Sequence, residues 1–283
     1  MRFARVGRAG EEVPVVVDAK DQAFRLDSSF TDLDAAFLTG GGIDLTRAAL
    51  AAGQLEPIDI SGMRFGPPVP TPTLLMCIGL NYRNHVIETN AEMPSEPVLF
   101  MKSPRTIIGA NDPVIIPPAS EQTDWEVELA IVIGQRAHLL KSPQDAVRHI
   151  AGYAISNDVS ERSYQLEHGG QWCKGKSCDT FNPLGPYLVP RDEVDPSDLD
   201  LSLAVNGEVH QKANTSDMIF DVNFIVWYVS RFMALDAGDV INTGTPAGIA
   251  LGSSDLEFLR PGDSMEVQIS GLGSQCQKVS RTL

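Results

Sequence analysis

Between Asp124 and Ile133 acids first alternate with apolar residues and then give way to an unbroken apolar run, Asp124-Trp125-Glu126-Val127-Glu128-Leu129-Ala130-Ile131-Val132-Ile133. The pattern is that of a strand entering a core, and a strand sends alternate side chains to one face. Glu126 and Glu128 therefore point the same way, with Asp124 near them. Carboxylates that close repel, so the face is either solvated or bridged by a divalent cation. Hard oxygen donors without His or Cys select Mg²⁺, Mn²⁺ or Ca²⁺ over zinc. A second segment bears on the choice. The apolar strand ending at Ala154-Ile155-Ser156 runs into Asn157-Asp158, where Asp158 would supply a third oxygen, although Asn-Asp also closes strands by ordinary turn chemistry.

Bulk properties narrow the partners. The formal net charge is -15 and the sequence pI is near 4.7, the wrong sign for a phosphate backbone or an anionic membrane surface. No nucleic-acid or membrane partner is expected, and an anionic substrate would need local cations or a bound metal. With 283 residues and 43% hydrophobic content the chain can bury a sizeable core. No signal-peptide run follows Met1-Arg2-Phe3-Ala4-Arg5, and no stretch reaches the roughly 20 apolar residues of a membrane span, so a cytoplasmic location is expected. Cys77, Cys173, Cys178 and Cys276 are too few and scattered for a disulfide framework or a zinc site.

The first 26 residues alternate apolar runs with turn signals, as a small β-meander does. Helices are predicted from Thr31-Asp32-Leu33-Asp34 and over Asp44 to Leu50, the latter stopped by Gly53. The proline-dense Pro67 to Pro72 marks a connector, which divides the chain into a small α/β domain over residues 1–70 and a larger domain over 71–283, the part that the family resemblance described below makes the catalytic domain. Strands dominate from Leu74, including Val98 to Met101, Val114 to Ile116, Val127 to Ile133 and Ala151 to Ser156. Asn206-Gly207 between Leu201–Val205 and Val209–Lys212 predicts a type I′ hairpin. A core-facing helix is expected over Asn223 to Leu235 and a short one over Asn81 to Ala91. The fold class is α+β, mainly β.

On the short helix, His85 and Glu88 lie three apart and share a face. A carboxylate beside an imidazole sets its tautomer and raises its basicity, as a general base requires, although an arbitrary His-x-x-Glu is more often a surface pair. The Asn242 to Gly248 loop lacks the lysine and spacing of a nucleotide-phosphate cradle.

Five runs, Gly79 to Glu88, Trp125 to Leu129, Asn157 to Arg162, Gly175 to Thr180 and Thr243 to Gly248, stand in the order seen in the fumarylacetoacetate hydrolase family, which the chain resembles from Leu74 to its C-terminus. The resemblance implies a mixed β-sandwich roll, Mg²⁺ (or Mn²⁺ or Ca²⁺) held by Glu126, Glu128 and Asp158, and a catalytic His85–Glu88 dyad on a mobile segment. It makes Lys176 the lysine facing the substrate, Arg162 and Gln165 substrate-binding or lid-holding groups, and Thr245 a hydroxyl that reaches a substrate carboxylate. Lys174 is expected to be solvated. Arg162 could equally form a surface pair with Glu161 or Glu167. Trp125 and Cys178 depart from the Tyr and Phe of many members.

The resemblance further implies a homodimer and a small anionic 2-oxo or diketo acid substrate. Hydrolysis of a C–C bond in a 2,4-dioxo acid of the acylpyruvate type is the first expectation. Decarboxylation or isomerisation of the oxaloacetate or 2-hydroxyhepta-2,4-diene-1,7-dioate type, ureidoglycolate lyase chemistry and hydrolysis of a diketo sugar acid are the alternatives. A metal-binding dimer without catalysis is the remaining one.

Overall fold

The computed structural model describes residues 1–253 and 255–281. Three antiparallel strands open the chain, β1 (Arg2–Val6), β2 (Val13–Val17) and β3 (Ala23–Arg25), followed by helices α1 (Ala35–Thr39) and α2 (Gly42–Ala51). Next come β4 (Leu75–Gly79), α3 (Arg83–Glu88), β5 (Val98–Lys102), β6 (Ile107–Gly109), β7 (Val114–Ile116), β8 (Thr123–Asp124), β9 (Val127–Ile133) and α4 (Pro143–Ala146). The chain continues through β10 (Ile150–Asn157), β11 (Ser160–Glu161), α5 (Arg162–Leu166), α6 (Trp172–Lys176), β12 (Asn182–Leu184) and β13 (Val189–Pro190). It ends with the hairpin β14 (Asp200–Val205) and β15 (Glu208–Asn214), helix α7 (Val222–Ser230), β16 (Val240–Asn242), β17 (Ser264–Ile269) and β18 (Gly273–Arg281).

The strands form an eight-stranded mixed sheet, β5-β4-β16-β9-β10-β12-β6 with β13 added on β10, and a five-stranded sheet, β15-β14-β17-β18-β7. The fold is α+β and mainly β, and among the described residues no helix is long and apolar enough to cross a membrane. Strand β9 is buried on both faces throughout, which explains its continuous apolar run. Alternation then divides its side chains. Leu129, Ile131 and Ile133 join Ile155 of β10, Leu203 of β14, Val267 of β17 and Ile225 of α7 in the core between the sheets. Ala130 and Val132 face the opposite way and pack with Leu75, Cys77, Phe3, Val16, Leu33 and Phe37. Each fully buried Ile or Phe of this kind contributes about 1.5–3 kcal/mol relative to exposure. Residues 1–70 thus cover one face of the large sheet, and the proline-dense connector is itself packed, with Val69 wholly buried.

The meander, the four predicted strand segments and the hairpin are present, and Asn206 and Gly207 adopt φ of 53° and 83° as a type I′ turn requires. Helix boundaries differ from expectation, α2 starting at Gly42 and α3 ending at Glu88 instead of Ala91, and three of the differences have a tertiary cause. Helix α1 is capped by Asp34, whose side chain accepts from Phe37 N–H, while Asp32 is held outside it by Arg5. Helix α3 starts only at Arg83 because the Asn81 side chain is tied to Phe220 and Thr243. Helix α7 stops at Ser230, short of Leu235, because the chain turns there to pair Leu235 with Ala137. Phe232, expected in the core, is 59% exposed.

Candidate active site

The antiparallel register of β9 and β10 sets Ser156 opposite Glu128 and Asn157 opposite Val127. One step beyond the register, Asp158 N–H donates to the Glu126 carbonyl at 2.9 Å. The acids of two separate stretches therefore converge. Carboxylate oxygens of Glu126, Glu128 and Asp158 lie within 4.8 Å of one another, and all three residues are buried.

Cations answer two of the three. Lys176 Nζ donates to Glu126 Oε2 at 2.6 Å and to Asp158 Oδ2 at 3.0 Å. Gly175 lets α6 approach this closely, since a Cβ there would sit 2.3 Å from the Glu161 carbonyl oxygen. Lys102, at the end of β5, donates to the other oxygen of Asp158 and to the Phe181 carbonyl at 2.6 Å. Arg162 reaches Asp124 Oδ2 at 2.8 Å, Glu126 Oε1 at 2.7 Å and Gln165 Oε1 at 3.0 Å. Burial raises the Glu126 pKa, but Lys176 and Arg162 outweigh it and hold the group at about 2. Lys176 is pushed up, its burial being outweighed by Asp158 and Glu126.

Glu128 is different. Its carboxylate accepts from Gly244 N–H at 2.8 Å, and burial together with Asp158 and Glu126 pushes its pKa well up. The Gly244 turn has φ of 99°, and a Cβ there would lie 2.8 Å from that of Asn81, so glycine is required for the backbone to present this amide. Four carboxylates, those of Asp124, Glu126, Glu128 and Asp158, face three cations. The residual negative charge and the all-oxygen donor set fit a hard dication.

His85 is 7% exposed, with Nδ1 3.3 Å from Glu88 Oε2, and the other Glu88 oxygen accepts from Gly248 N–H at 2.9 Å. His85, Glu126, Glu128, Arg162, Gln165, Lys176 and Thr245 line one cavity of about 240 Å³. Exposed Glu88 and buried Asp158 lie outside that lining. The Thr245 hydroxyl donates to the Val127 carbonyl at 2.9 Å and accepts from Gln211 Nε2 at 2.9 Å, so its proton is already engaged. Of the two placements open for Arg162, the surface pair with Glu161 or Glu167 is replaced by the buried contacts with Asp124 and Glu126. Glu161 is occupied by Ser120, Thr123 and Ser163. Asp124, besides holding Arg162, accepts from Ala250 N–H and Leu251 N–H at 2.9 and 3.0 Å. Lys174 is exposed.

Two polar groups of the site escape sequence reasoning, Lys102 and Gln211. A lysine closing an apolar strand in an acidic chain is the only signal for the first, and none marks the second.

The model of the fumarylacetoacetate (FAA) hydrolase C-terminal region matches residues 75–280. The 2,4-didehydro-3-deoxy-L-rhamnonate hydrolase of Sphingomonas sp. (strain SKA58) is 43% identical over 283 residues, covering 99% of this chain and 96% of its own. The maleylpyruvate hydrolase of Sphingobium sp. SYK-6, solved with manganese(II) and pyruvate, superposes with a TM-score of 0.83 at 27% identity, and each chain is covered in full. The 2-hydroxyhepta-2,4-diene-1,7-dioate isomerase of Mycobacterium marinum gives a TM-score of 0.78 at 32% identity, over 100% of this chain and 99% of that one. Hydrolases and isomerases are thus both among its relatives, and the chain belongs to the fumarylacetoacetate hydrolase family.

Proposed function

We propose that the chain is a divalent-metal-dependent hydrolase that cleaves a C–C bond in a small 2,4-dioxo acid of the acylpyruvate type. The observation that carries the reading is the carboxylate triad at one cavity, which Glu126, Glu128, the Lys176 ammonium and the His85 imidazole line and beside which Asp158 lies, with His85 turned toward Glu88. Glu126, Glu128 and Asp158 would hold Mg²⁺, with Mn²⁺ and Ca²⁺ sharing the same donor preference. A dication bound there supplies Lewis acidity toward the 2-oxo acid end of the substrate.

The remaining chemistry falls to side chains. With Nδ1 facing Glu88, His85 keeps Nε2 for a water molecule and takes its proton as the oxygen adds to the C4 carbonyl. Collapse of that adduct breaks the C3–C4 bond. The electron pair goes to C3, conjugated with the C2 carbonyl, and a proton returned from His85 leaves a carboxylic acid and pyruvate. Lys176, positioned by Glu126 and Asp158, offers fixed positive charge where negative charge develops. Gln165 accepts from Arg162 through Oε1, which leaves its amide nitrogen to donate to a substrate oxygen. Thr245 can offer only a lone pair, because its proton is directed to Val127.

Isomerisation or decarboxylation is the second reading, favoured by the likeness to the Mycobacterium marinum isomerase and needing the same charge stabilisation without attacking water. The test is the diketo absorbance of acetylpyruvate with Mg²⁺. Decay that stops with chelator is expected for the wild type, and none for His85→Ala with cation affinity retained. Unchanged turnover in His85→Ala would refute the dyad. The reading includes a cytoplasmic homodimer, and sedimentation as a 30.6 kDa particle would exclude the dimer.

A further inference from the structure

We infer that the acyl end of the substrate, beyond the C4 carbonyl, is uncharged and apolar, so that the enzyme takes monocarboxylate rather than dicarboxylate diketo acids. The inference rests on the hydrolase reading above and concerns the other end of the same cavity. Its charged groups gather at the carboxylate floor, whereas Leu80, Phe100, Leu166, Trp172, Ile249 and Leu251 supply an apolar wall.

The wall is built rather than adaptable. Phe100 and Trp172 meet edge to face with centroids 5.4 Å apart. Trp172 lies over Gly79, where a Cβ would come within 2.7 Å of the indole. Phe100 forms the border, since the Lys176 ammonium stands 5.3 Å from its ring centroid while Trp172 packs against it on the wall side. The hydroxyl of Thr89, also in the lining, is turned to the His85 carbonyl at 2.9 Å.

Among the described residues every cation of the lining is already held at the carboxylate cluster or turned to an acid. Arg162 donates to Asp124, Glu126 and Gln165, and Lys176 to Glu126 and Asp158. The remaining basic group of the lining, His85, is turned to Glu88. A distal carboxylate would therefore lose water without gaining a partner, inside a protein of net charge -15. A methyl or short alkyl group would instead gain ordinary apolar burial.

The test compares acetylpyruvate with fumarylpyruvate on the Mg²⁺-loaded enzyme. Because an unpaired buried carboxylate is strongly disfavoured, kcat/KM should be at least about 100-fold lower for fumarylpyruvate. Equal or faster cleavage of fumarylpyruvate overturns the inference and leaves the hydrolase reading standing. A binding pair of equal chain length, 2-oxohexanoate and 2-oxoadipate with Mg²⁺, decides the matter independently of turnover. If neither diketo acid is cleaved, the hydrolase reading fails. The inference then survives only if 2-oxohexanoate binds at least about 10-fold tighter, as an unpaired charge requires. Equal binding, tighter 2-oxoadipate or no binding of either overturns it. Leu166 is 46% exposed at the mouth. Leu166→Arg should narrow the wild-type difference by about 10-fold, the scale of one new ion pair in a partly desolvated site. A folded Leu166→Arg protein with unaltered discrimination would count against the wall as the determinant.

Discussion

Two arginines in this molecule hold acids from distant segments, and they do so to different ends. Arg64 donates through Nε and Nη2 to Asp112 at 2.7 and 2.6 Å and through Nη1 to Glu12 at 2.8 Å, joining the N-terminal sheet to the body. Arg162 makes the same kinds of contact with Asp124 and Glu126. Around Arg64 every acid has a cation, with Arg5 supplying a second one to Glu12 and holding Asp32, and the Arg64 side chain is 27% exposed. Around Arg162, whose side chain is 2% exposed, Glu128 is left with a backbone amide and two carboxylate neighbours. A clamp that only joins segments can be satisfied completely. A site proposed to accept a dication would hold its acids in place through other contacts.

The largest expected difference between the regions comes from removing one cation in each. Lys176→Met takes from Glu126 and from Asp158 one of the two cations that each holds in the interior, Arg162 and Lys102 remaining, and should cost about 3 kcal/mol, the low end for breaking a buried pair. Urea unfolding checks this. If Lys176→Met costs no more than Arg64→Met, the contrast between the regions is wrong. A smaller effect of opposite sign is expected at Glu128. Glu128→Gln keeps an acceptor for Gly244 N–H and removes a carboxylate that burial, Asp158 and Glu126 disfavour, so stability should rise by about 1 kcal/mol. Cation affinity, read by calorimetry, should fall at least 10-fold on the scale of a lost ligand. A Glu128→Gln protein that is both less stable and unchanged in cation binding would remove the basis for treating this carboxylate as frustrated.

The same contrast explains what was legible beforehand. Strand β9 and the β14–β15 hairpin are encoded locally, by period-two alternation and by an Asn-Gly pair that tolerates positive φ, and both appear where expected. That the three acids would converge was legible from two strand segments and a family resemblance, because antiparallel neighbours bring strand ends together. Partner choice was not. Arg162 has Glu161 and Glu167 beside it in sequence, yet its acids come from residues 38 and 36 positions away. Lys102 meets Asp158 across 56 residues. The end of α7 failed for a related reason: Phe232 and Met233 continue the helical spacing, but the tertiary pairing of Leu235 with Ala137 ends the helix first.

The smallest effects belong to the clamp. Arg64→Met should cost about 1 kcal/mol, since the pair is partly exposed and solvent-screened, and should leave kcat/KM unchanged. Its pH dependence is the finer measurement. Burial raises the Glu12 pKa, but Arg64 and then Arg5 outweigh it, so the folded value lies below the ordinary 4.5. A carboxylate depressed in the folded state contributes stability above its unfolded pKa and loses it as pH falls through the folded value. The wild type should therefore lose part of its margin over Arg64→Met as the pH drops below about 4.5, the region where linkage acts for a depressed carboxylate. Melting temperatures of the two proteins across that range are the readout. A gap that stays constant into the acid region would mean that Glu12 titrates alike in the folded and unfolded chains, and that Arg64 holds the N-terminal sheet by packing of its stem instead of by charge.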